Sequence, residues 1–424
     1  MVDRDRLVEL RREFHRYPEP AWREFWTTCR LVEELEAIGV DELHVGPDAL
    51  ATDERMAVPD EDELQEWYEA ARERGARQDV LDRLEGGYTG AVAVVEQGPG
   101  PTVGLRVDID ALPIWESDED SHHPAGEGFR SENEGYMHSC GHDGHITLGL
   151  GTLEAVTESD FSGTLKVFFQ PAEELVGGGK AMAKSGHLDD VDYLFATHLG
   201  LDHPTGEVVA GIDDFLAVKH LDVEFTGAPS HAGAKPEEGR NAVQALATAV
   251  QNLYGIPRHS DGATRVNAGK LEAGTAANII PERAHLECEV RGVTTHLKDY
   301  MDERAQQVLD SAAEMHGCEV DVEIGGEAPS ATSDQDLVDL VGAVAGEHPD
   351  VERLVERDAL GGSEDATFLM QAVQQRGGLA TYVCVGTDHP GGHHTSTFDV
   401  DEASLPIGVD VLAGAIESVA AKRP

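Results

Sequence analysis

The sequence predicts an α/β fold, and two patterns carry this prediction. Short apolar runs rich in Val, Phe and Leu alternate with segments of helical periodicity, as is typical of buried strands in an α/β sheet. Between 215 and 327 the strands instead alternate polar and apolar residues, which indicates a small α+β domain with one exposed sheet face. We therefore expect an α/β domain of residues 1–214 and 328–424 with 215–327 inserted into it.

The elements follow in chain order. Residues 5–38 have helical periodicity, broken by Tyr17-Pro18-Glu19-Pro20, and residues 60–85 form a polar helical stretch. The strands expected in the α/β domain are TGAVAVVEQ, TVGLRVDID (102–110), TLKVFFQ (164–170), YLFATH (193–198) and TYVCVG (381–386). In the inserted segment, strands at 219–227, 285–293 and 318–326 are separated by helical runs at 241–254 and 299–317.

The net charge is the most unusual bulk property. Lys+Arg 32 against Asp+Glu 81 gives −49 at pH 7. Self-repulsion of this size destabilises a compact chain in dilute buffer, and molar salt screens it because the Debye length falls to about 3 Å at 1 M. We expect a halophilic host with molar internal salt, the alternative being an ordinary acidic protein. The charge also argues against nucleic acid as a partner.

Location follows from three observations. No run of about 18 apolar residues occurs, so no membrane association is expected. The N-terminus is charged and helical in pattern rather than of signal-peptide type. The five cysteines show no tight pairing, which argues against a disulfide framework. We expect a cytoplasmic protein.

Polar residues cluster where four of the apolar strands end. In open α/β sheets the active site lies outside the carboxyl ends of the strands, so we expect these side chains to face one crevice. Strand by strand they are Asp108 and Asp110, Glu173 and Glu174, His198, and His393 with His394.

The segment MHSCGHDGH (137–145) is the densest chemical group, with three His and one Cys within eight residues. Cys140 and His142 can direct sulfur and imidazole at one ion. The adjacent Glu173 and Glu174 repel unless a cation lies nearby, and one can ligate metal while the other takes a proton from activated water. A single His or Glu pair is usually only solvated; the combination indicates zinc, manganese or cobalt.

This combination resembles the aminoacylase and glutamate-carboxypeptidase family of dinuclear metallohydrolases, in the branch of indole-acetyl-amino-acid and hippurate hydrolases. The features at 56–76 and 84–93 are most similar to the A subunits of p-aminobenzoyl-glutamate hydrolases. The family motifs appear in order as VDIDALP (107–113), MHSCGHDGH (137–145), FQPAEE (169–174), ATHLG (196–200), SHAGAKP (230–236), GTAANIIP (274–281), GGSEDAT (361–367) and HHTSTFD (393–399).

The resemblance implies a mixed-sheet, zinc-peptidase-like catalytic domain whose inserted domain carries a dimer interface or lid. It implies Glu173 as general base and Asp108 as the acid that orients the site. His231 would polarise the scissile carbonyl from a partner subunit. The implied ligands of two divalent ions, manganese or zinc with cobalt as a further option, are Cys140, His142, Glu174, His198 and His394.

Two further residues, Asn278 and Arg291, fall on positions that hold the substrate carboxylate in the family. A salt bridge at the domain rim is the alternative for Arg291. The expected activity is hydrolysis of N-acyl or N-aroyl amino acids such as p-aminobenzoyl-glutamate. The alternatives are a dipeptidase or carboxypeptidase, or a non-catalytic member of a hetero-oligomer. A homodimer and a heterodimer with a related chain are both compatible with the sequence.

Overall fold

A computed structural model describes residues 3–422, which form two compact units. The first comprises the described residues up to Asp213, Ala331–Leu360 and those from Asp365 onward. The second comprises Asp214–Ser330 and Gly361–Glu364.

The helices and strands are as follows. The helices are α1 (Arg4–Arg16), α2 (Phe25–Ile38), α3 (Glu61–Glu73), α4 (Gln78–Leu84), α5 (His123–Glu127), α6 (His142–Thr157), α7 (Gly179–Ala183), α8 (Ala242–Leu253), α9 (Thr295–His316), α10 (Gln335–Glu347), α11 (Ala366–Gln375) and α12 (Ser404–Lys422). The strands are β1 (Glu42–Val45), β2 (Ala91–Glu96), β3 (Thr102–Asp108), β4 (Thr164–Gln170), β5 (Tyr193–Leu199), β6 (Glu207–Asp213), β7 (Ala217–Thr226), β8 (Ser230–His231), β9 (Thr264–Ala273), β10 (Ile279–Ile280), β11 (Arg283–Gly292), β12 (Glu319–Ala328), β13 (Arg353–Ala359) and β14 (Leu379–Val385).

The first unit is built on a mixed sheet of eight strands in the order β1-β2-β4-β3-β5-β14-β6-β13. The neighbours β4, β3, β5 and β14 run parallel, and these are four strands that the apolar runs predict. The pairs β1–β2, β2–β4 and β14–β6 are antiparallel. The carboxyl ends of the four parallel strands therefore lie side by side, and the predicted α/β fold with a mixed sheet is confirmed.

Helix α12 contains a stretch, Ser404–Ala421, that is long and apolar enough to cross a membrane by length and composition. This stretch is not among the elements predicted from the sequence. In the structure 67% of it is buried, and the helix packs against α1, α6 and α10 of the first unit. Its apolar character is therefore accounted for by the core of this unit.

The second unit is a four-stranded antiparallel sheet in the order β12-β7-β11-β9, with α8 and α9 packed on it. Along β11 buried residues alternate with less buried ones, as expected when only one face of a sheet is covered. Strands β8 and β10 form a separate antiparallel pair. The inserted α+β domain is confirmed as a fold feature, while its role in dimerisation stays a prediction.

Candidate metal centre

Adjacent strand ends bring the metal-binding candidates together. Asp108 is the last residue of β3, and Glu174 lies in the loop that follows β4. His198 is the penultimate residue of β5, and His142 opens helix α6. The loop after β14 carries His394, whose backbone N–H donates to the carbonyl of Ser139 at 2.8 Å.

The candidate ligand atoms form overlapping groups within 4.8 Å of one another. Cys140 Sγ lies 3.5 Å from His198 Nε2, and both belong to a group with His142. Glu174 joins Cys140 and His394 in a second group, with Glu174 Oε2 at 3.5 Å from His394 Nε2. The five sequence-predicted ligands therefore lie in one cluster.

Two polar atoms at the middle of the cluster have no hydrogen-bond partner despite burial. They are His142 Nε2 and Glu174 Oε1, which lie 3.7 Å apart. Leaving such buried atoms unpaired is costly, and a cation between them would satisfy both. The His198 Nδ1–H donates to the Leu199 carbonyl at 2.7 Å, which leaves the Nε2 lone pair directed toward Cys140. The thiol, imidazole and carboxylate donors fit a divalent metal.

The electrostatics of the cluster also fit a cation. Burial raises the pKa of Glu174 above its usual value; His142 opposes this shift, and the negative charges of Asp110 and Asp108 add to it. Burial and the neighbouring His145 hold the pKa of His198 well below its usual value, and burial lowers the pKa of His394. Neutral imidazole is the form that binds metal, and an ionised Glu174 in this position needs nearby positive charge. For His142 burial lowers the pKa, but Asp108 and Asp110 raise it to about 10, so that this ring carries a proton among the carboxylates and a metal ion would have to displace it.

Asp108 orients two histidines and is itself held by a buried arginine. Its Oδ2 accepts from Arg106 Nη1 at 2.8 Å, and its Oδ1 contacts His145 Nδ1 at 2.5 Å and lies 3.5 Å from His142 Nε2. Burial alone would raise the pKa of Asp108, but His142, His145 and Arg106 together hold it well below its usual value. The backbone N–H of Leu199 donates to His145 Nε2 at 2.8 Å, so both ring nitrogens of His145 are engaged and it acts as a support.

Asp110 is a site residue to which the sequence patterns assign no separate role. Its Oδ1 lies 3.3 Å from His142 Nδ1, and its Oδ2 accepts from the backbone N–H of Glu174 at 3.0 Å. One carboxylate thus fixes a ligand ring and the loop of a second ligand. The signal in the sequence is the VDID pattern, since residues two apart in an extended chain share a face.

Glu24 is a second residue that sequence reasoning misses. It is buried, and it accepts from the backbone N–H of Ala172 at 2.9 Å and from the Thr89 hydroxyl at 2.6 Å. Ala172 has a φ of 55°, a left-handed conformation that costs free energy in a residue with a side chain. Glu24 therefore stabilises a strained turn directly before the Glu173–Glu174 pair.

Helix α1 places two cations under the metal-binding loops. Arg11 Nε lies 2.8 Å from Asp143 Oδ2, and Arg11 Nη2 donates to Asp399 Oδ1 at 2.5 Å. His15 lies 2.8 Å from Asp143 Oδ2 and 2.9 Å from Glu116 Oε1. Although burial and Arg11 lower it, bonds to Asp143 and Glu116 raise the pKa of His15 to about 9. Asp143 lies in α6, Glu116 in the loop after β3 and Asp399 in the loop after β14. This network of Arg11 and His15 therefore links three segments that surround the site.

The remaining sequence-predicted site residues lie in the second unit. His231 is an exposed residue of β8, and Asn278 is exposed immediately before β10. Arg291 in β11 donates twice to Glu289, at 2.9 Å and 2.8 Å, and once to Ser363 Oγ at 3.1 Å. The salt bridge expected as the alternative for Arg291 is thus present, and the catalytic and binding roles of the three residues stay predictions.

Comparison with known proteins gives the family. The model of peptidase family M20/M25/M40 matches residues 104–418. The chain belongs to this family. M20 enzymes are metal-dependent and often dinuclear, which agrees with the donor cluster, and the resemblance seen in the sequence motifs is confirmed.

Several known proteins are similar to this chain along almost its whole length. It is 44% identical over 411 residues to indole-3-acetyl-aspartic acid hydrolase of Enterobacter agglomerans, covering 96% of this chain and 94% of that protein. It is 43% identical over 412 residues to the A subunit of p-aminobenzoyl-glutamate hydrolase from Escherichia coli strain K12, again covering 96% and 94%. The crystal structure of an aminobenzoyl-glutamate utilization protein from Klebsiella pneumoniae superposes with a TM-score of 0.85 at 37% identity, covering 98% and 95%.

These relatives decide the enzyme class. Both curated M20 relatives are named hydrolases of acylated amino acids, so this chain is a metal-dependent amidohydrolase, and the peptidase and non-catalytic alternatives are not favoured. At 23% identity, the Bacillus subtilis M20 protein described as a dinuclear metal-binding peptidase shares the fold with a TM-score of 0.68.

Arg11→Met should destabilise the protein much more than Arg12→Met. The first removes the guanidinium from buried Asp143 and Asp399 and leaves them only the imidazoles of His15 and His123, a loss that we expect to cost about 3–5 kcal/mol. Arg12 pairs with Glu402 near the surface of the same helix, where an ion pair is worth about 0–1 kcal/mol. Denaturant unfolding of both variants in KCl measures the difference, and equal losses would show that the buried network does not stabilise the fold.

Proposed function

We propose that this amidohydrolase cleaves N-acyl or N-aroyl amino acids, with p-aminobenzoyl-glutamate and indole-acetyl-aspartate as the first candidate substrates. The observation that carries the proposal is the buried donor cluster around His142 and Glu174, with a second carboxylate, Glu173, beside it. The names of the two relatives that are 44% and 43% identical support the substrate class.

Cys140, His142, Glu174, His198 and His394 are the proposed ligands of two divalent ions, manganese or zinc, with cobalt as a further option. Bound ions lower the pKa of water to about 7 and stabilise the negative charge that develops on the substrate oxygen. The support is the pair of buried atoms without hydrogen bonds and the lowered pKa values of His198 and His394.

Glu173 is the proposed general base. Its Oε2 lies 3.9 Å from His142 Nε2, so a water beside the ligands is within its reach, and its side chain is only 11% exposed. A carboxylate in this position accepts the proton of the attacking water and returns it to the leaving nitrogen. Asp108 is proposed as a positioning residue, because it orients the rings of His142 and His145.

Three residues of the second unit are proposed to handle the substrate. His231 would polarise the scissile carbonyl in the site of a partner subunit, in either a homodimer or a heterodimer with a related chain. Asn278 and Arg291 would hold the substrate carboxylate. Because Glu289 already binds Arg291 through two hydrogen bonds, a substrate carboxylate would have to compete with Glu289 for the guanidinium.

The proposed setting is a cytoplasm of molar salt. The net charge of −49 leaves each cation with several carboxylates to neutralise. Arg30 illustrates the shortage, since Glu13 at 3.0 Å, Glu33 at 3.7 Å and Glu34 all pair with it. Screening by dissolved cations is the remaining way to lower this repulsion.

The purified chain should hydrolyse p-aminobenzoyl-glutamate in molar KCl with added manganese. Hippurate and indole-acetyl-aspartate, assayed in parallel, rank the acyl preference. Cys140→Ala is the control, because loss of a ligand should abolish turnover of every substrate. No turnover by a folded chain with bound metal would contradict the proposal for this chain acting alone and would point to a required partner chain.

Glu173→Gln should keep the fold and the bound metal while kcat falls at least 100-fold, because the amide cannot accept the proton. The change is nearly isosteric, so the readouts are kcat, metal content and circular dichroism. Asp53→Asn, at an exposed position, is the matched control and should leave kcat unchanged. A Glu173→Gln enzyme of near-normal rate would exclude Glu173 as the base.

Stability should rise with KCl and collapse in dilute buffer. Screening acts through ionic strength, so sucrose at equal osmolarity should not replace the salt. Thermal unfolding and activity measured from dilute buffer to molar KCl test this. A protein that is equally stable and active in dilute buffer would refute the salt requirement.

A further inference from the structure

Trp115 differs from the other tryptophans of the chain. Of the four, Trp22 and Trp26 are buried at 0% and 7% exposure and Trp67 is half-buried, but Trp115 is 66% exposed. It lies in the loop between β3 and α5, on the path from Asp110 to Cys140. A large aromatic side chain left in water is free-energetically unfavourable, which makes its position informative.

The backbone around Trp115 is held firmly. The next residue, Glu116, is buried, and its carboxylate contacts His15 and His122 at 2.9 Å each. The Glu116 carbonyl also accepts from Arg130 Nη2 at 2.8 Å. The backbone next to Trp115 is therefore held in place by these contacts of Glu116.

The same segment is attached to the metal centre on two sides. Leu112 and Met137 exchange backbone hydrogen bonds at 3.1 Å, just before the loop that carries Cys140. The Ser117 N–H donates to the Ser396 carbonyl at 2.9 Å, two residues beyond His394. The His394 side chain is 56% exposed, so this is an open side of the centre. Trp115 is therefore three residues from Leu112 and two from Ser117, the points at which this segment is joined to the loops that carry Cys140 and His394.

The aromatic surface extends beyond Trp115. A Cβ built on Gly135 would lie 3.5 Å from the indole, so the ring rests against bare backbone. The next residue, Tyr136, packs edge to face on Trp67 of α3, with ring centroids 5.0 Å apart. Trp115 thus lies against Gly135, and Trp67 of α3, a helix to which the sequence assigns no role, lies against the adjacent Tyr136; we call Trp115, Tyr136 and Trp67 the aromatic ledge.

We propose that the aromatic ledge binds the aromatic acyl group of the substrate, with Trp115 as the stacking residue that determines specificity. This rests on the proposed function and narrows it to amino acids whose N-acyl group carries an aromatic ring. The substrates in the relatives' names, p-aminobenzoyl-glutamate and indole-3-acetyl-aspartate, share an aromatic acyl group. A rigid indole with an open face stacks on such a ring and gains little from an acetyl group.

Trp115→Ala should lower kcat/KM for p-aminobenzoyl-glutamate about 3- to 10-fold relative to kcat/KM for N-acetyl-glutamate, which keeps the same amino acid. Trp115→Phe should retain most of the preference because it keeps a ring. Tyr254→Ala removes an aromatic that is 49% exposed in the second unit and is the matched control, with no change expected. An unchanged ratio in Trp115→Ala overturns the proposal.

Binding of p-aminobenzoate alone separates this proposal from the proposed function. Calorimetry in molar KCl should show weaker binding to Trp115→Ala than to the wild type by a similar factor. If the wild type turns over neither substrate, the proposed function is wrong. The binding comparison still tests whether the aromatic ledge binds an aromatic ring. Equal binding of p-aminobenzoate to both proteins, or none to the wild type, overturns it.

Discussion

Compensation of buried negative charge is the constraint on which the rest of the structure depends. Asp108, Asp110, Glu173 and Glu174 crowd the carboxyl edge of the parallel strands, and all but Glu174 have under a tenth of their surface exposed. Arg106 neutralises one of them directly. The negative charge crowded at this edge fits a divalent cation, since buried carboxylates are expensive unless cations compensate them. The electrostatic free energy of these carboxylates is thus unfavourable without a bound cation, and a bound metal ion would lower it.

The surrounding fold repeats this principle at greater distance. Arg11 and His15 neutralise carboxylates beneath three loops that contribute to the centre, and Glu24 fixes the strained turn at Ala172. These contacts of Arg11, His15 and Glu24 restrict the motion of the loops. Loops restricted in this way can keep the proposed metal ligands oriented before an ion binds. The chain as a whole is different, because its 81 Asp and Glu outnumber its 32 Lys and Arg. In the proposed setting, salt would screen the repulsion among the excess carboxylates.

The fold class and the donor residues follow from the sequence because they depend on local pattern. Apolar runs mark the buried parallel strands, and polar residues directly after them mark the site edge. Strand β13 escapes detection because it is an edge strand with a polar, largely exposed sequence. Residues 60–85 have the pattern of one helical stretch, but the chain turns at Gly75, whose φ is 92°, and two helices result.

The supporting residues could not be found in this way, because their partners are remote in the sequence. Arg11 meets Asp399 across 388 positions, and Glu24 meets Ala172 across 148. Neither residue differs in type or pattern from the other charged residues of its own helix or turn. Only the packing of α1 and α2 against the site shows what they do.

The number of divalent ions bound per chain tests the central account most directly. Elemental analysis of the purified protein, equilibrated with manganese or zinc in molar KCl and then freed of excess metal, gives this number. The account predicts two ions per wild-type chain and a clear loss in Cys140→Ala, with both proteins folded. A folded wild-type chain that binds no ion and still hydrolyses its substrate would contradict the account.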